Sequence, residues 1–273
     1  MSANLVAHKV GKRAYDIMLL NASASKVSSS VIRIAAIGDI HCWETAVNHI
    51  RPLFASVNLE ADILLLAGDI TTAGTPREAE VFCHELSDVK IPIVAVLGNH
   101  DCEENQEEEI ARTLQRHNIT VLDGDSTKLE IKGKTVGIAG VKGFCGGFDK
   151  YAVEPFGELA LKSFVYASLR EANKLELAMN SLDTDYRVIL LHYSPIRDTV
   201  VGESLELWPF LGSSALVRPI DTLGANVVVH AHAHYGSPRG TTKTGIPVFN
   251  VARTVIHRYL VYELESDDRL GGQ

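Results

Sequence analysis

In the first half of the chain, short apolar runs bounded by turn residues alternate with segments whose apolar residues recur every three or four positions. A run of the first kind reads as a buried strand, and a segment of the second as an amphipathic helix. Strands are therefore expected over 31–37, 63–67 and 91–97. Helices are expected between and after them. The first carries Val47, Ile50, Phe54 and Val57. The second carries Ala79, Phe82, Leu86 and Val89, with Pro76 in its opening turn, and the third is centred on Ile110, Leu114 and His117. Strict alternation of strand and helix implies parallel strands joined by right-handed crossovers.

The rhythm changes after residue 118. A short apolar stretch at 119–122 is followed by strands at 129–131 and 135–139 flanking Lys132-Gly133-Lys134, a hairpin signal. A glycine-rich loop over 143–148 leads to a long helix over 157–182, its stripe formed by Leu161, Val165, Leu169, Ala172, Leu175, Met179 and Leu182. Then come a strand at 188–191, an aperiodic segment 196–214, a helix at 213–223, and strands at 226–229, 247–251 and 255–264. No repeat or linker interrupts 31–264, which reads as one domain. Residues 1–30 read as a poorly specified extension and 265–273 as a polar tail.

The strands end in an unusual way. The first is followed by Asp39 and His41, the second by Asp69, the third by Asn99, His100 and Asp101, a later one by His192, and another by His230, His232 and His234. Taken singly, each has an ordinary explanation. Gly-Asp makes turns, Asn-His-Asp can cap a helix, and a lone histidine after a strand is usually a hydrogen-bonded surface residue. Three alternating histidines are harder to dismiss, because in extended backbone they share one face. Together the strand ends supply carboxylates, imidazoles and one amide where α/β folds build their sites. That donor set suits divalent first-row metals, Mn, Fe, Zn, Ni or Co, and is large enough for two ions. Two ions ~3.5–4 Å apart would need a bridging carboxylate.

The order Asp-x-His, Gly-Asp, Gly-Asn-His-Asp, lone His and His-x-His resembles that of the calcineurin-like metallophosphoesterases, over residues 31 to 252. The resemblance implies a four-layer α/β sandwich of two mixed sheets flanked by helices. It implies that Asp39, His41 and His234 hold one metal, that Asn99, His192 and His232 hold the other, and that Asp69 bridges them. It casts His100 as the catalytic group facing the phosphate and Asp101 as the residue orienting its ring. Manganese is the favoured ion. The expected activity is hydrolysis of a small phosphodiester or phosphomonoester by a metal-bridging hydroxide. A nuclease of the same superfamily and a non-catalytic metal-binding scaffold are the alternatives. Ala231 stands where the family pattern has glycine, and His230 falls outside the pattern, with a packed or hydrogen-bonded role expected for it.

Composition narrows the partners. The net charge is −8 and basic residues are scattered, which disfavours long nucleic acid. The run Glu103, Glu104, Glu107, Glu108 and Glu109 reads first as a solvated helix start. No apolar run is long enough for a membrane span. The four cysteines lack CxxC spacing and suggest reduced thiols of a cytoplasmic protein. Arg197, Phe144, Phe148, Trp208 and Arg253 are candidates to line a substrate pocket. Oligomeric state is not encoded in any of these features.

Overall fold

The computed structural model describes residues 31–265, so the proposed extension 1–30 and residues 266–273 of the tail lie outside the described residues. Two mixed sheets face each other. The first contains β1 (Ile32–Ile37), β2 (Ile63–Ala67), β3 (Ile93–Val96), β4 (Ile119–Val121) and β11 (Leu260–Leu264), in the order β11-β1-β2-β3-β4. The second contains β5 (Asp125–Ile131), β6 (Lys134–Val141), β7 (Tyr186–Leu191), β8 (Val227–His230), β9 (Arg239–Thr241) and β10 (Pro247–Asn250), in the order β5-β6-β7-β8-β10-β9. Strands β1 to β4 pair in parallel, as do β6, β7, β8 and β10. The antiparallel partners β11, β5 and β9 sit at the edges.

The continuous apolar runs are explained by burial on both faces. Ile34 and Ala36 of β1, Val94 and Val96 of β3, Ile138 of β6 and Leu190 of β7 fill the space between the sheets. The alternate residues Ala35, Ile37, Leu64 and Leu66 face outward onto α1 (Pro76–Glu85) and α2 (Glu107–Arg116) through Phe82, Ile110 and Leu114. On the opposite outer face, Ala139, Ile189, Leu191 and Val228 meet Leu175, Met179 and Leu182 of α3 (Leu159–Asn180) and its end, and Ile220 of α4 (Val217–Leu223). Among the described residues, no helix is long and apolar enough to cross a membrane.

Several local expectations fail for identifiable reasons. The helix expected through Val47 and Val57 is broken into a 3-10 turn, Arg51–Phe54, and a single helical turn, Val57–Glu60. Pro52 removes an amide donor. The buried Glu85 carboxylate accepts from the backbone N–H groups of Asn48, Ile50 and Arg51, replacing carbonyls a helix would have used. The strand expected over 255–264 begins only at Leu260, because Arg253–Ile256 forms a helical turn that His257 closes in left-handed backbone. Within the α3 stripe, Leu169 is exposed and Ser168 takes the buried position. The aperiodic 196–214 segment consists of short helical turns, Arg197–Val200, Leu205–Leu207 and Trp208–Leu211. Strand β9 was not expected.

The sheets touch just beyond the carboxyl ends of β1, β8 and β10. Gly38 N donates to Val251 O at 2.9 Å, and a Cβ built on Gly38 would overlap the Ala231 methyl. The Ala231 side chain is therefore accommodated by the missing side chain at Gly38. Gly38→Ala is expected to lower stability by ~1–3 kcal/mol through overpacking. Adding Ala231→Gly should recover only part of that loss, because Ala67 O and Cβ also stand 3.0 and 3.1 Å from the added methyl. Urea denaturation of both variants tests this; equal losses with and without Ala231→Gly would show that this contact does not set the spacing.

Candidate metal centre

The parallel strands deliver their carboxyl ends to one edge of the sandwich. Asp39 and His41 follow β1, Asp69 follows β2, Asn99 to Asp101 follow β3, His192 follows β7, and His232 and His234 follow β8. Asp39, His41, Asp69 and His232 all hold left-handed backbone, with φ of 53°, 50°, 49° and 68°. Such residues are sterically disfavoured and must be held there by their surroundings. The restraints are visible: Asp39 N donates to Gly68 O, His41 N to Asp69 O, and His232 N to Asp39 Oδ2 at 2.9 Å.

Donor atoms from Asp39, His41, Asp69 and His234 lie within 4.8 Å of one another, and donor atoms from Asp69, His192 and His232 form a second such group. Asp69 belongs to both. Its Oδ2 stands 3.8 Å from His41 Nε2 and its Oδ1 3.4 Å from His192 Nε2. His234 Nε2 lies 3.2 Å from Asp39 Oδ1, and Asn99 Oδ1 lies 2.9 Å from His192 Nε2.

The hydrogen-bond chemistry fits cations. Asp39 Oδ1, His41 Nε2 and Asp69 Oδ2 are buried with no hydrogen-bond partner. Orphaned polar atoms of this kind are rare and call for a ligand. His192 Nδ1 donates to the Ala67 carbonyl at 2.8 Å, so in the neutral ring Nε2 is an acceptor directed at two other acceptors, Asn99 Oδ1 and Asp69 Oδ1. A cation among these three lone pairs removes the conflict. His232 Nε2 donates to the Phe210 carbonyl at 3.2 Å, which leaves the Nδ1 lone pair as the atom that could hold a metal.

Titration follows the same logic. Burial lowers the pKa of His41, against the pull of Asp69 and Asp39. Burial also brings His232 down to about 3, assisted by neighbouring His192. Both rings are held neutral, as ligation requires. Burial raises Asp69, opposed by His192 and reinforced by Asp39 and Asp101, so this carboxylate lacks compensating positive charge. Asp39 is raised by burial but ends below its ordinary value, because His234 and the surrounding imidazoles outweigh that effect. The Asp39 carboxylate, 3.2 Å from its Nε2, raises His234.

Two expectations are corrected here. The three histidines do not share a face, because β8 ends at His230 and His232 turns into left-handed backbone. His230 is fully buried in the packed, hydrogen-bonded role expected for it, with Nδ1 donating to Ala231 O and Nε2 accepting from Thr199 Oγ1 at 2.7 Å. Asp101 does not orient the His100 ring. Its oxygens accept from Ile70 N, Thr71 N, Thr71 Oγ1 and Gly98 N, at 2.7–3.2 Å. The His100 ring is oriented by the Thr72 carbonyl, to which Nδ1 donates at 2.9 Å, with a Glu103 oxygen 3.5 Å away. That ring stands edge-on to His41, centroids 4.7 Å apart.

The expected pocket residues divide. Arg197, Phe148 and Trp208 line one cavity. Phe144 packs against Phe164 and Tyr193, and Arg253 Nη1 donates to the Ile40 carbonyl at 3.3 Å, so neither lines that cavity. Some contributors were overlooked in the sequence. Asn250 closes the apolar β10 run and, through Nδ2, holds the Ala233 carbonyl between His232 and His234 at 2.7 Å. Lys142 follows β6 and sits 5.9 Å from the centroid of the Tyr193 ring, which in turn lies 4.4 Å from His232. A polar residue ending an apolar strand was the available signal for both.

A family model described as calcineurin-like phosphoesterase matches residues 32–236, and the chain belongs to that family. No curated protein sequence matches it. The fold is similar to that of phosphopantetheinyl hydrolase from Mycobacterium tuberculosis, at 15% identity and TM-score 0.59, over 84% of this chain and 92% of that one. It is similar to GAP50, described as the anchor in the inner membrane complex of Plasmodium, at 12% identity and TM-score 0.55, over 86% and 82%. A purple acid phosphatase from yellow lupin (Lupinus luteus) matches at 11% identity and TM-score 0.52, over 87% of this chain and 47% of its own. At these identities the likeness is one of fold.

The hydrogen bonds of Asp101 lead to a stability prediction. Asp101→Ala leaves buried N–H groups without acceptors and is expected to cost ~3–5 kcal/mol, whereas His100→Asn, at a half-exposed ring, should cost under ~1 kcal/mol. Chemical denaturation separates the two; a small loss for Asp101→Ala would remove its role as the clamp between the loops after β2 and β3.

Proposed function

We propose that this member of the calcineurin-like phosphoesterase family is a dinuclear, metal-dependent phosphoric ester hydrolase acting on a small phosphodiester or phosphomonoester. The observation that carries the reading is the division of Asp69: one buried carboxylate turns an oxygen toward each of two donor groups. Asp39, His41 and His234 would complete one site, and Asn99, His192 and His232 the other. Mn²⁺ is the first ion to test, since the donors are oxygen and imidazole nitrogen without thiolate. Bound divalent ions there would supply Lewis acidity to the phosphoryl group and an activated water.

The chain's own groups do the rest. In its imidazolium form His100 donates Nδ1–H to the Thr72 carbonyl, and its Nε2–H is the proton that would pass to the departing alkoxide, leaving the neutral ring with its proton on Nδ1. A Glu103 carboxylate oxygen lies 3.5 Å from the same Nδ1. Asn99 contributes a neutral oxygen where carboxylates already crowd. Asn250 and the Phe210 carbonyl fix the segment and ring of His232. The unpaired thiols of Cys42, Cys83, Cys102 and Cys145 support a reducing compartment such as the cytoplasm.

Chelator-stripped protein titrated with Mn²⁺ by calorimetry is expected to take up two equivalents, and His234→Ala one. A single equivalent in the wild type would refute the dinuclear reading. With Mn²⁺ present, bis-nitrophenyl or mono-nitrophenyl phosphate should be hydrolysed, and chelator should abolish turnover. His100→Asn should reduce kcat by ~10²–10⁴ with metal content unchanged. Wild-type turnover on an alkoxide leaving group in that variant would exclude His100 as the acid.

A further inference from the structure

One side of the metal-ligand cluster is walled by apolar side chains that the fold leaves open. Phe148, Val200, Leu211 and Ala233 form a small buried cluster with Trp208 packed against it. Ala233 lies between His232 and His234 in the chain, so this cluster packs on the segment that carries two of the proposed ligands. The wall is continuous with the site at other points too. The Phe210 carbonyl receives His232 Nε2, and Tyr235 N donates to the Glu203 carboxylate at 2.8 Å. Gly202 is packed so tightly on the Tyr235 carbonyl that a side chain there would overlap it.

This wall contains a cavity of about 330 Å³, lined by Phe148, Tyr151, Leu205, Trp208, Pro209 and Arg197. Tyr151 and Leu205 are 71% and 68% exposed, high values for large apolar groups at a rim. Trp208 is held in one orientation, because its Nε1 donates to the Glu203 carbonyl at 3.1 Å. The Arg197 guanidinium lies 5.0 Å from the Trp208 ring centroid. Among the described residues, no carboxylate pairs with Arg197.

We propose that this cavity is the subsite for a flat aromatic or heteroaromatic group of the phosphate ester, with Arg197 directed at hydrogen-bond acceptors on its edge. The proposal rests on the phosphoesterase reading and adds the class of substrate. Size and shape select that class. An apolar cavity of ~150 Å³ accepts a benzene, so a space of about 330 Å³ suits one fused ring system better than a long acyl chain. The lining supplies aromatic faces and a proline, surfaces on which a planar group stacks. A guanidinium over an indole, with no carboxylate partner among the described residues, adds a directional donor at the edge of the stack.

The test separates this subsite from the phosphoryl chemistry. Binding of two non-hydrolysable probes, phenylphosphonate and methylphosphonate, is measured by calorimetry on the Mn²⁺-loaded protein. Phenylphosphonate is expected to bind at least ten-fold tighter. Tyr151→Ala, at an exposed rim position, and Arg197→Ala should each reduce that ratio several-fold. Equal affinities for the two probes in the wild type, or an undiminished ratio in both variants, would overturn the subsite whether or not the protein hydrolyses nitrophenyl esters. An aromatic preference that the variants reduce, with no hydrolysis of any ester, would support the subsite and overturn the phosphoesterase reading instead.

Discussion

A carboxylate with no solvent exposure, shared by two groups of imidazoles and carboxylates, is the constraint around which this fold is built. Burying a charge is costly unless it is paired and hydrogen-bonded. Asp69 has only part of that compensation, a bond to Oδ1 from His100 N, while Oδ2 has none. Its surroundings have been cleared to bring it there. A side chain at Gly98 would overlap its carboxyl group, and one at Gly68 would run into the His192 ring. Gly98 is therefore required by close approach, since it is not among the positive-φ glycines, whereas Gly68 is needed on both grounds. The remaining charge imbalance is of the sign that divalent cations correct.

The strain and the hydrogen bonds belong to the same device. Left-handed backbone at a non-glycine residue costs on the order of 1–3 kcal/mol. Here Asp39, His41, Asp69 and His232 carry it together, and each is tied to a neighbouring loop. The ties run between sheets as well as within them: Asp39 of the first sheet accepts from His232 of the second, and His192 of the second donates to Ala67 of the first. The interior packing of the sandwich and the spacing of the donor atoms are thus one quantity. A change in sheet separation would move both donor groups relative to Asp69.

Much of this was legible in the sequence because the informative residues announce themselves by type. A polar Asp, His or Asn after an apolar run contrasts sharply with its context, and the motif order carries the fold along with it. Roles set by geometry were not legible. Asp101 looks like a partner for its neighbour His100, yet the 3-10 turn His100–Cys102 sends its carboxylate back to the loop after β2. Nothing in the spacing shows that the Thr72 carbonyl will meet the His100 ring. The helix expected near Val47 fails through Glu85, 34 to 37 residues away from the amides it binds, a distance no local periodicity can register. His230 shares the alternation of His232 and His234 but not their backbone, and it takes the packed, hydrogen-bonded role expected for it.

The two sides of the site carry different kinds of information. In the proposed reaction, metal donors and His100 would engage what all phosphate esters have in common, the phosphoryl oxygens and the leaving oxygen, and would supply rate without choosing among substrates. Discrimination has to come from groups that meet the rest of the molecule. On the side of His100 the Glu103 carboxylate stands 3.5 Å from the ring and would disfavour a polyanionic appendage. On the side of His232 the wall is apolar, with a single guanidinium set on an indole. Burial of an aromatic ring there contributes ~25 cal/mol for each Å² of apolar surface removed from water. Such a gain applies only to esters that carry the ring. On the proposed reading, the asymmetry of the rim, more than the metal cluster, would set the specificity of this chain.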